Sequence, residues 1–316
     1  SMKKLVALLL CLLSVAESLV IARAVIENVQ NEILRSVSLD VSNETKVAAS
    51  RTRMHSKHYF DSIVEADVRK VAWMLGCSLD SQAFVLACKN AGAAIMPNHM
   101  EKWSTVSDLA FKWCKLHDVM LVFTFHPGAT PPPYYDFYAF NQTTEDIVRT
   151  GAQQIIRLLG KPPDAILVDS SLWDMANWWQ KAGSPKSWPT PHSEISHWAS
   201  STIPAFLDFV QSIAPSSSVA FRSPAPMFPS CIDPWWYTCQ GDQIVNEMHA
   251  CLTKSVDNVT LRLYGKYHFI DYYSIVLSKH EVLGGSLRGW YADTIHPGGE
   301  LANAYMSDFL RWAKSC

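Results

Sequence analysis

Near its C-terminus the chain reads Tyr291-Ala-Asp293-Thr-Ile-His296-Pro-Gly-Gly. An aspartate three residues before a histidine lets one short loop present a carboxylate and an imidazole together. The carboxylate can hold the ring tautomer while the far nitrogen takes a proton from a hydroxyl. This is the only Asp-x-x-His in the chain. The hydroxyl must come from elsewhere, and Gly76-Cys77-Ser78-Leu79 offers one at the end of an apolar run. Ser78 either caps the helix that follows or projects as a nucleophile. Its own N–H then lies at a helix N-terminus, where partial positive charge favours an oxyanion. Gly128, in His126-Pro-Gly, is either an ordinary turn glycine or a second backbone donor to that oxyanion.

Other constellations carry less. Glu194 and His197 share a helix face, but His192 lies five before His197, off the spacing for two metal ligands. No metal is expected there. His55 and His58 read as surface residues. Trp235-Trp236-Tyr237, between Cys231 and Cys239, forms either a lip that stacks on sugar rings or plain loop packing. No Gly-rich phosphate loop of standard spacing occurs, and no cofactor is expected.

Alternating strand-like and helix-like segments must position these residues. Apolar runs at 71–77, 119–125, 165–168 and 218–222 read as buried strands, with shorter pieces at 259–263 and 269–271. Helical spacing covers 79–91, 105–117, 143–159, 192–213, 242–253 and 298–313. Continuous apolar strands separated by helices predict a parallel sheet covered on both faces. The expected fold is a three-layer α/β/α sandwich of the flavodoxin-like class, with about five parallel strands. Its ligands should sit beyond the strand carboxyl ends, just after Leu75, Phe125, Val168 and Phe221.

The joint order of these pieces resembles the SGNH/GDSL hydrolase superfamily. It comprises Gly-x-Ser-Leu, a loop glycine after the second strand, a polar Trp-containing loop after the third, and Asp-x-x-His-Pro before the last helix. Ser170-Ser-Leu-Trp-Asp174 and Phe221-Arg-Ser-Pro224 are similar to blocks of its PC-esterase branch, which includes the plant trichome-birefringence-like proteins. The resemblance spans roughly 68–316. It implies Ser78 as nucleophile, His296 as base and Asp293 as the orienting acid. It places the N–H groups of Ser78, Gly128 and residue 169 around the oxyanion. Trp173 and Arg222, within the two blocks, are expected to contact substrate together with Trp235 and Trp236. Two positions depart from the pattern: Cys77 stands where the family has Asp, and Asp169 where it has Asn. An ionised carboxylate cannot donate to an oxyanion, so Ser170 Oγ is the expected replacement donor. Asp169 itself is either protonated by burial, or bound to a backbone N–H or to Arg222. The implied function is a serine esterase that removes acyl groups, acetyl foremost, from carbohydrate or another small ester. An O-acetyltransferase with the same triad and a non-catalytic glycan-binding relative are the alternatives.

Composition agrees with a globular protein. Of 316 residues, 48% are hydrophobic and 18% charged, and the net charge is −2. Without a basic excess, nucleic acid is not an expected partner. Met2-Lys-Lys followed by the apolar run 5–16 reads as a secretory signal peptide within 1–24, or as an uncleaved anchor of a lumenal protein. No other membrane contact is expected. Residues 25–67 read as an N-terminal extension. A secreted or ER/Golgi-lumenal protein would carry glycans at the sequons of Asn43, Asn141 and Asn258. Six of the seven later cysteines are expected to form three disulfides. Cys231 and Cys239 are close enough to bridge within one loop. Cys77 is expected to stay a thiol, because a bridge beside the nucleophile would distort its turn.

Overall fold

A computed structural model describes residues 68–96, 111–134, 142–186, 190–231, 236–253 and 266–316. The signal region, the N-terminal extension, the asparagines of all three sequons and the 259–263 strand lie outside them. Six strands form one sheet: β1 Lys70–Gly76, β2 Lys112–Leu116, β3 Val119–Phe125, β4 Ala165–Asp169, β5 Ser218–Arg222 and β6 His268–Ile270. The order is β2-β3-β1-β4-β5-β6, parallel throughout except for β2. Among the described residues eight α-helices accompany it: α1 Ser78–Asn90, α2 Thr144–Leu159, α3 Leu172–Lys181, α4 His192–His197, α5 Ile203–Ile213, α6 Gly241–Thr253, α7 Tyr272–Leu283 and α8 Gly299–Ser315.

The central strands are buried on both faces, which is why they read as unbroken apolar runs. On one face α1, α7 and α8 pack together, and Phe84 of α1 meets Phe123 of β3 with ring centroids 5.9 Å apart. On the other, Gly151 lets α2 press onto Trp73, whose ring lies 2.7 Å from where a Cβ would stand. The Trp73 indole N–H donates to Thr124 Oγ1 at 2.9 Å, so its polar edge is satisfied inside the core. The helix expected over 192–213 is present, with a π-helical stretch at Trp198–Thr202 just before Pro204. A proline at the second position of α5 has no N–H for the regular ladder.

The sheet differs from expectation in having six strands and an antiparallel edge. Residues 112–116, expected to be helical, form β2 and pair with β3. Trp113 and Leu116 satisfy helical spacing, but His117-Asp118 turns the chain straight back into β3, with His117 at φ 53°. A hairpin turn without glycine hides from a search for Asn-Gly or Asp-Gly. Helices α3 and α7 were also not anticipated. β1 sits between β3 and β4, so the connections leaving it diverge, and the crevice at its carboxyl end opens beside Ser78.

Two disulfides occur among the described residues, Cys88–Cys114 and Cys231–Cys239, as suits an oxidising compartment. Cys77 is a buried thiol, as expected. The three bridges expected of these cysteines are not all formed, since Cys316 is an exposed thiol. No helix among the described residues is long and apolar enough to cross a membrane.

Cys88–Cys114 ties the end of α1 to the edge strand across 26 residues. A closed loop of that length restricts the unfolded chain by about 3 kcal/mol. Replacing Cys88 and Cys114 together by Ala should lower unfolding stability by about that amount in a urea titration. A change below about 0.5 kcal/mol would show that β2 is held by its ladder alone.

Candidate active site

Ser78 is the first residue of α1, directly after the last sheet position, Gly76, and the N-cap Cys77. Its Oγ lies 2.9 Å from His296 Nε2. His296 Nδ1 lies 2.7 Å from Asp293 Oδ2. The second carboxylate oxygen, Oδ1, accepts the backbone N–H groups of Ile295 and His296, each at 2.8 Å. Asp293 is therefore fixed by its own loop before it orients the ring. Partial burial alone would push its pKa up, but the bonds from His296 and the two N–H groups outweigh that and bring it down to about 2. The carboxylate thus stays ionised at any working pH. The structure brings together residues 218 positions apart in the order hydroxyl, imidazole, carboxylate.

The loop that carries the dyad is braced from several sides. Tyr291 and Pro297 form an antiparallel bridge. Ala292 N–H donates to His296 O at 2.9 Å, and Gly298 N–H to Trp290 O at 2.7 Å. A Cβ on Gly298 would stand 2.4 Å from that same carbonyl, so a side chain there would force the loop open. Arg288 donates to Asp293 O at 2.7 Å while its guanidinium lies over Phe228. Phe228 N–H bonds Thr294 O at 3.0 Å, and the Tyr291 hydroxyl donates to Pro226 O. The segment after β5 thus clamps the His296 loop. Arg288, Phe228 and Tyr291 were not singled out from sequence, where nothing in their spacing marks them.

Beneath Ser78 lies a buried charge cluster. Asp80, at the third position of α1, accepts Cys77 N–H at 3.0 Å. Arg222 grips Asp80 with Nε and Nη2, both at 2.8 Å, and its Nη2 lies 2.6 Å from Asp169 Oδ2. Tyr305 donates to Asp80 Oδ1 at 2.6 Å, and Ser171 Oγ to Asp169 Oδ1 at 3.1 Å. Asp169 and Arg222 face each other across β4 and β5. A Cβ on Gly76 would fall 2.3 Å from Asp80 Oδ2, so the glycine makes room for this carboxylate. Asp80, Asp169 and Arg222 are all essentially inaccessible to water. Two carboxylates share one guanidinium. Desolvation raises the Asp169 pKa to about 7, with the neighbouring Asp80 charge adding to it and Arg222 opposing it. Asp80 stays lowered because Arg222, Tyr305 and Cys77 N–H together overcome its burial. Cys77, Asp80 and Asp169 are ligand-type groups within reach of one another. Arg222 occupies the place between the two carboxylates that a cation would take.

These positions correct several expectations. Arg222 is fully buried and committed to carboxylates, so it cannot contact substrate. Trp173 is buried edge-on against Phe125, with ring centroids 5.5 Å apart. Asp169 belongs to the Arg222 cluster rather than to an oxyanion site, one of the arrangements considered for it. Ser170 Oγ gives its only proton to Asp174 Oδ2 and accepts Ala129 N–H at 2.6 Å, so it is no spare donor. Gly128 N–H points at His126 Nδ1, at 3.2 Å. Gly128 does have a conformational requirement: its φ is 101°, and a Cβ would sit 2.6 Å from Asp174 Oδ1. Asp174 also accepts Thr130 N–H, Thr130 Oγ1 and Trp198 Nε1, tying the loop after β3 to the first turn of α3. Trp235 lies outside the described residues, as does the side chain of Trp236. The Ser78 N–H, as the first N–H of α1, has no partner within the helix.

No protein-family model and no curated protein matches the chain. Solved structures do resemble it at low identity. A lipase, Lip_vut3, from a goat rumen metagenome is 13% identical over 77% of this chain and 97% of its own, with TM-score 0.40. LAE5, an alpha/beta hydrolase enzyme from the metagenome of Lake Arreo, Spain, is 11% identical over 79% and 97%, with TM-score 0.39. Axe2, an acetylxylan esterase from Geobacillus stearothermophilus, is 11% identical over 78% and 95%, with TM-score 0.36. Likeness of this degree says nothing about the reaction, which has to come from the side chains.

The raised pKa of Asp169 makes a stability prediction. A carboxyl that holds its proton more tightly in the folded state favours folding at low pH. That contribution is complete below the unfolded value near 4 and is lost as pH rises through about 7. Asp169→Asn removes the excess charge while Asp80 still pairs Arg222. The variant should match the parent in Tm near pH 4.5 and exceed it at pH 8. A lower Tm for Asp169→Asn at pH 8 would show that the Asp169–Arg222 attraction outweighs the repulsion from Asp80.

Proposed function

We propose that the protein is a serine carboxylic ester hydrolase of the SGNH/GDSL kind, acting through an acyl-enzyme on Ser78. The observation that carries this reading is the unbroken chain Ser78 Oγ–His296 Nε2–Asp293, at 2.9 and 2.7 Å. Substrate binding places an acyl carbonyl against Ser78 Oγ. The hydroxyl proton passes to His296 Nε2 as the Oγ–carbon bond forms, and the carbonyl electron pair moves onto oxygen. The Ser78 N–H and the positive end of α1 stabilise that oxyanion. As the oxyanion collapses, the ester C–O bond breaks and the leaving alcohol takes the proton from His296. Water then repeats the cycle with His296 as base, releasing the carboxylic acid and free Ser78. Asp293, ionised throughout, keeps Nδ1 protonated and steadies the imidazolium.

The substrate we propose is an O-acylated carbohydrate, met in a secreted or lumenal setting. The family resemblance in the sequence supports the sugar. The two disulfides support the compartment.

Three substitutions test the triad on p-nitrophenyl acetate. Ser78→Ala and His296→Ala should each lower kcat by at least about 10⁴-fold with unchanged circular dichroism. Asp293→Asn should lower it by about 10²- to 10⁴-fold, because the tautomer is no longer held. A fluorophosphonate should label Ser78 in the parent and not in Ser78→Ala. Retention of most of the rate in folded His296→Ala would remove imidazole from the mechanism.

A further inference from the structure

A small cavity lies among the segments that carry the site. Its volume is about 10 Å³, and its walls include Leu79, Leu172, Met175, Met227, Val245 and Ile295. Leu79 follows the nucleophile and Ile295 precedes the base. Leu172 begins α3, three residues past the end of β4. A space of that size holds one water-sized or methyl-sized group. Its walls are almost wholly apolar, so water there would find few partners, whereas a methyl group would keep its dispersion contacts. A much larger cavity, about 1040 Å³, is lined by His268, Asp271, Lys279 and Trp312 among others; neither cavity is lined by Ser78, Asp293 or His296 themselves, but the small one is lined by the residues next to two of them, Leu79 and Ile295.

Met227 closes the small cavity. It is buried in the segment that clamps the His296 loop. Its side chain is seated over the bare backbone of Gly241, at the start of α6. A Cβ on Gly241 would stand 2.8 Å from Met227 Cε and 2.9 Å from Sδ. The absence of a side chain at 241 therefore gives the tip of Met227 its resting place. Val245, one turn further along α6, forms part of the same wall.

We propose that this cavity receives the methyl end of the acyl group, and that Met227, backed by Val245, limits the acyl chain to about acetyl length. The inference rests on Ser78 forming an acyl-enzyme, and adds to that reading the residues that set acyl specificity. A longer chain has to displace Met227 from its seat or leave the apolar walls. Each methylene that does not fit is worth roughly tenfold or more in discrimination.

The test is kcat/KM on p-nitrophenyl acetate, butyrate and hexanoate for the parent, Met227→Ala and Val245→Ala, with thermal unfolding of each. The parent should favour acetate over butyrate by at least tenfold. Met227→Ala should shift that ratio by at least tenfold toward butyrate, and Val245→Ala by a smaller factor in the same direction. Acetate should bind less tightly to both, since the methyl loses contacts. A parent that cleaves hexanoate as fast as acetate overturns the proposal, whether or not the variants fold. So does an unchanged acetate-to-butyrate ratio in a folded Met227→Ala. Fluorophosphonate labelling keeps the two readings apart. Labelled Ser78 without chain-length discrimination rejects the cavity assignment alone, whereas no labelling and no turnover on any ester rejects both.

Discussion

A guanidinium with no access to water has to be answered by negative charge, and in this protein the answer determines the shape of the site. Arg222 sits at the end of β5, opposite Asp169 on β4, and reaches under the first turn of α1 to Asp80. Asp80 in turn holds Cys77 N–H, so Arg222 fixes the turn from which Ser78 projects. One side chain thereby joins the ends of two strands to the start of α1. Its flat face also lies over Tyr272 and Tyr305, which bring α7 and α8 against the same point. Removing Arg222 would leave its carboxylates uncompensated, a loss that costs about 3–5 kcal/mol in comparable sites. A set of this kind defines one arrangement of strand ends and helix start, because few other arrangements satisfy every charge.

The same cluster accounts for the two departures from the SGNH pattern. Asp80 and Asp169 already bring two carboxylates to one guanidinium. A third carboxylate at position 77 would add negative charge with no cation to meet it. Cys77 fills that place as a neutral thiol. Its pKa is pushed well above the usual thiol range, first by burial and then by the two aspartates, so it remains neutral. At position 169 an aspartate is consistent with Arg222 across the ladder, where an asparagine would offer only a dipole. The two residues that look unfavourable for catalysis one at a time are coherent with Arg222 present.

How much of this was legible in the sequence depended on whether the signal was local. The buried parallel strands were readable because both faces are covered and most positions are apolar. Asp293 and His296 were readable because three residues of loop hold the whole dyad. Ser78 was readable from a glycine at a strand end followed by a helix. Asp80 had a local signal, as the acidic third residue of a capping box, but the N-cap is cysteine rather than Ser, Thr, Asp or Asn. The pairing of Arg222 with Asp169 was among the arrangements open from sequence, but its grip on Asp80, 142 positions away, left no local signal. An arginine at a strand end near a site looks like a substrate contact until its burial is known. β2 was misread because its pattern fits a helix and only the pairing with β3 distinguishes the two.

The cluster and the His296 loop come together in the short segment after β5. Arg222 ends that strand, and Ser223 N–H bonds Ile270 O on β6 at 3.0 Å. From there the chain runs through Pro224, Ala225 and Met227, walls of the small cavity, to Phe228, whose N–H holds Thr294 O. Six residues beyond a buried guanidinium thus link the turn before Ser78, the apolar cavity and the His296 loop. A shift of β5 would move all three at once, whereas a change in an outer helix such as α2 would move none directly. The distance between Ser78 Oγ and His296 Nε2 therefore depends on the charge balance beneath Ser78 as well as on the bracing of the loop that carries His296.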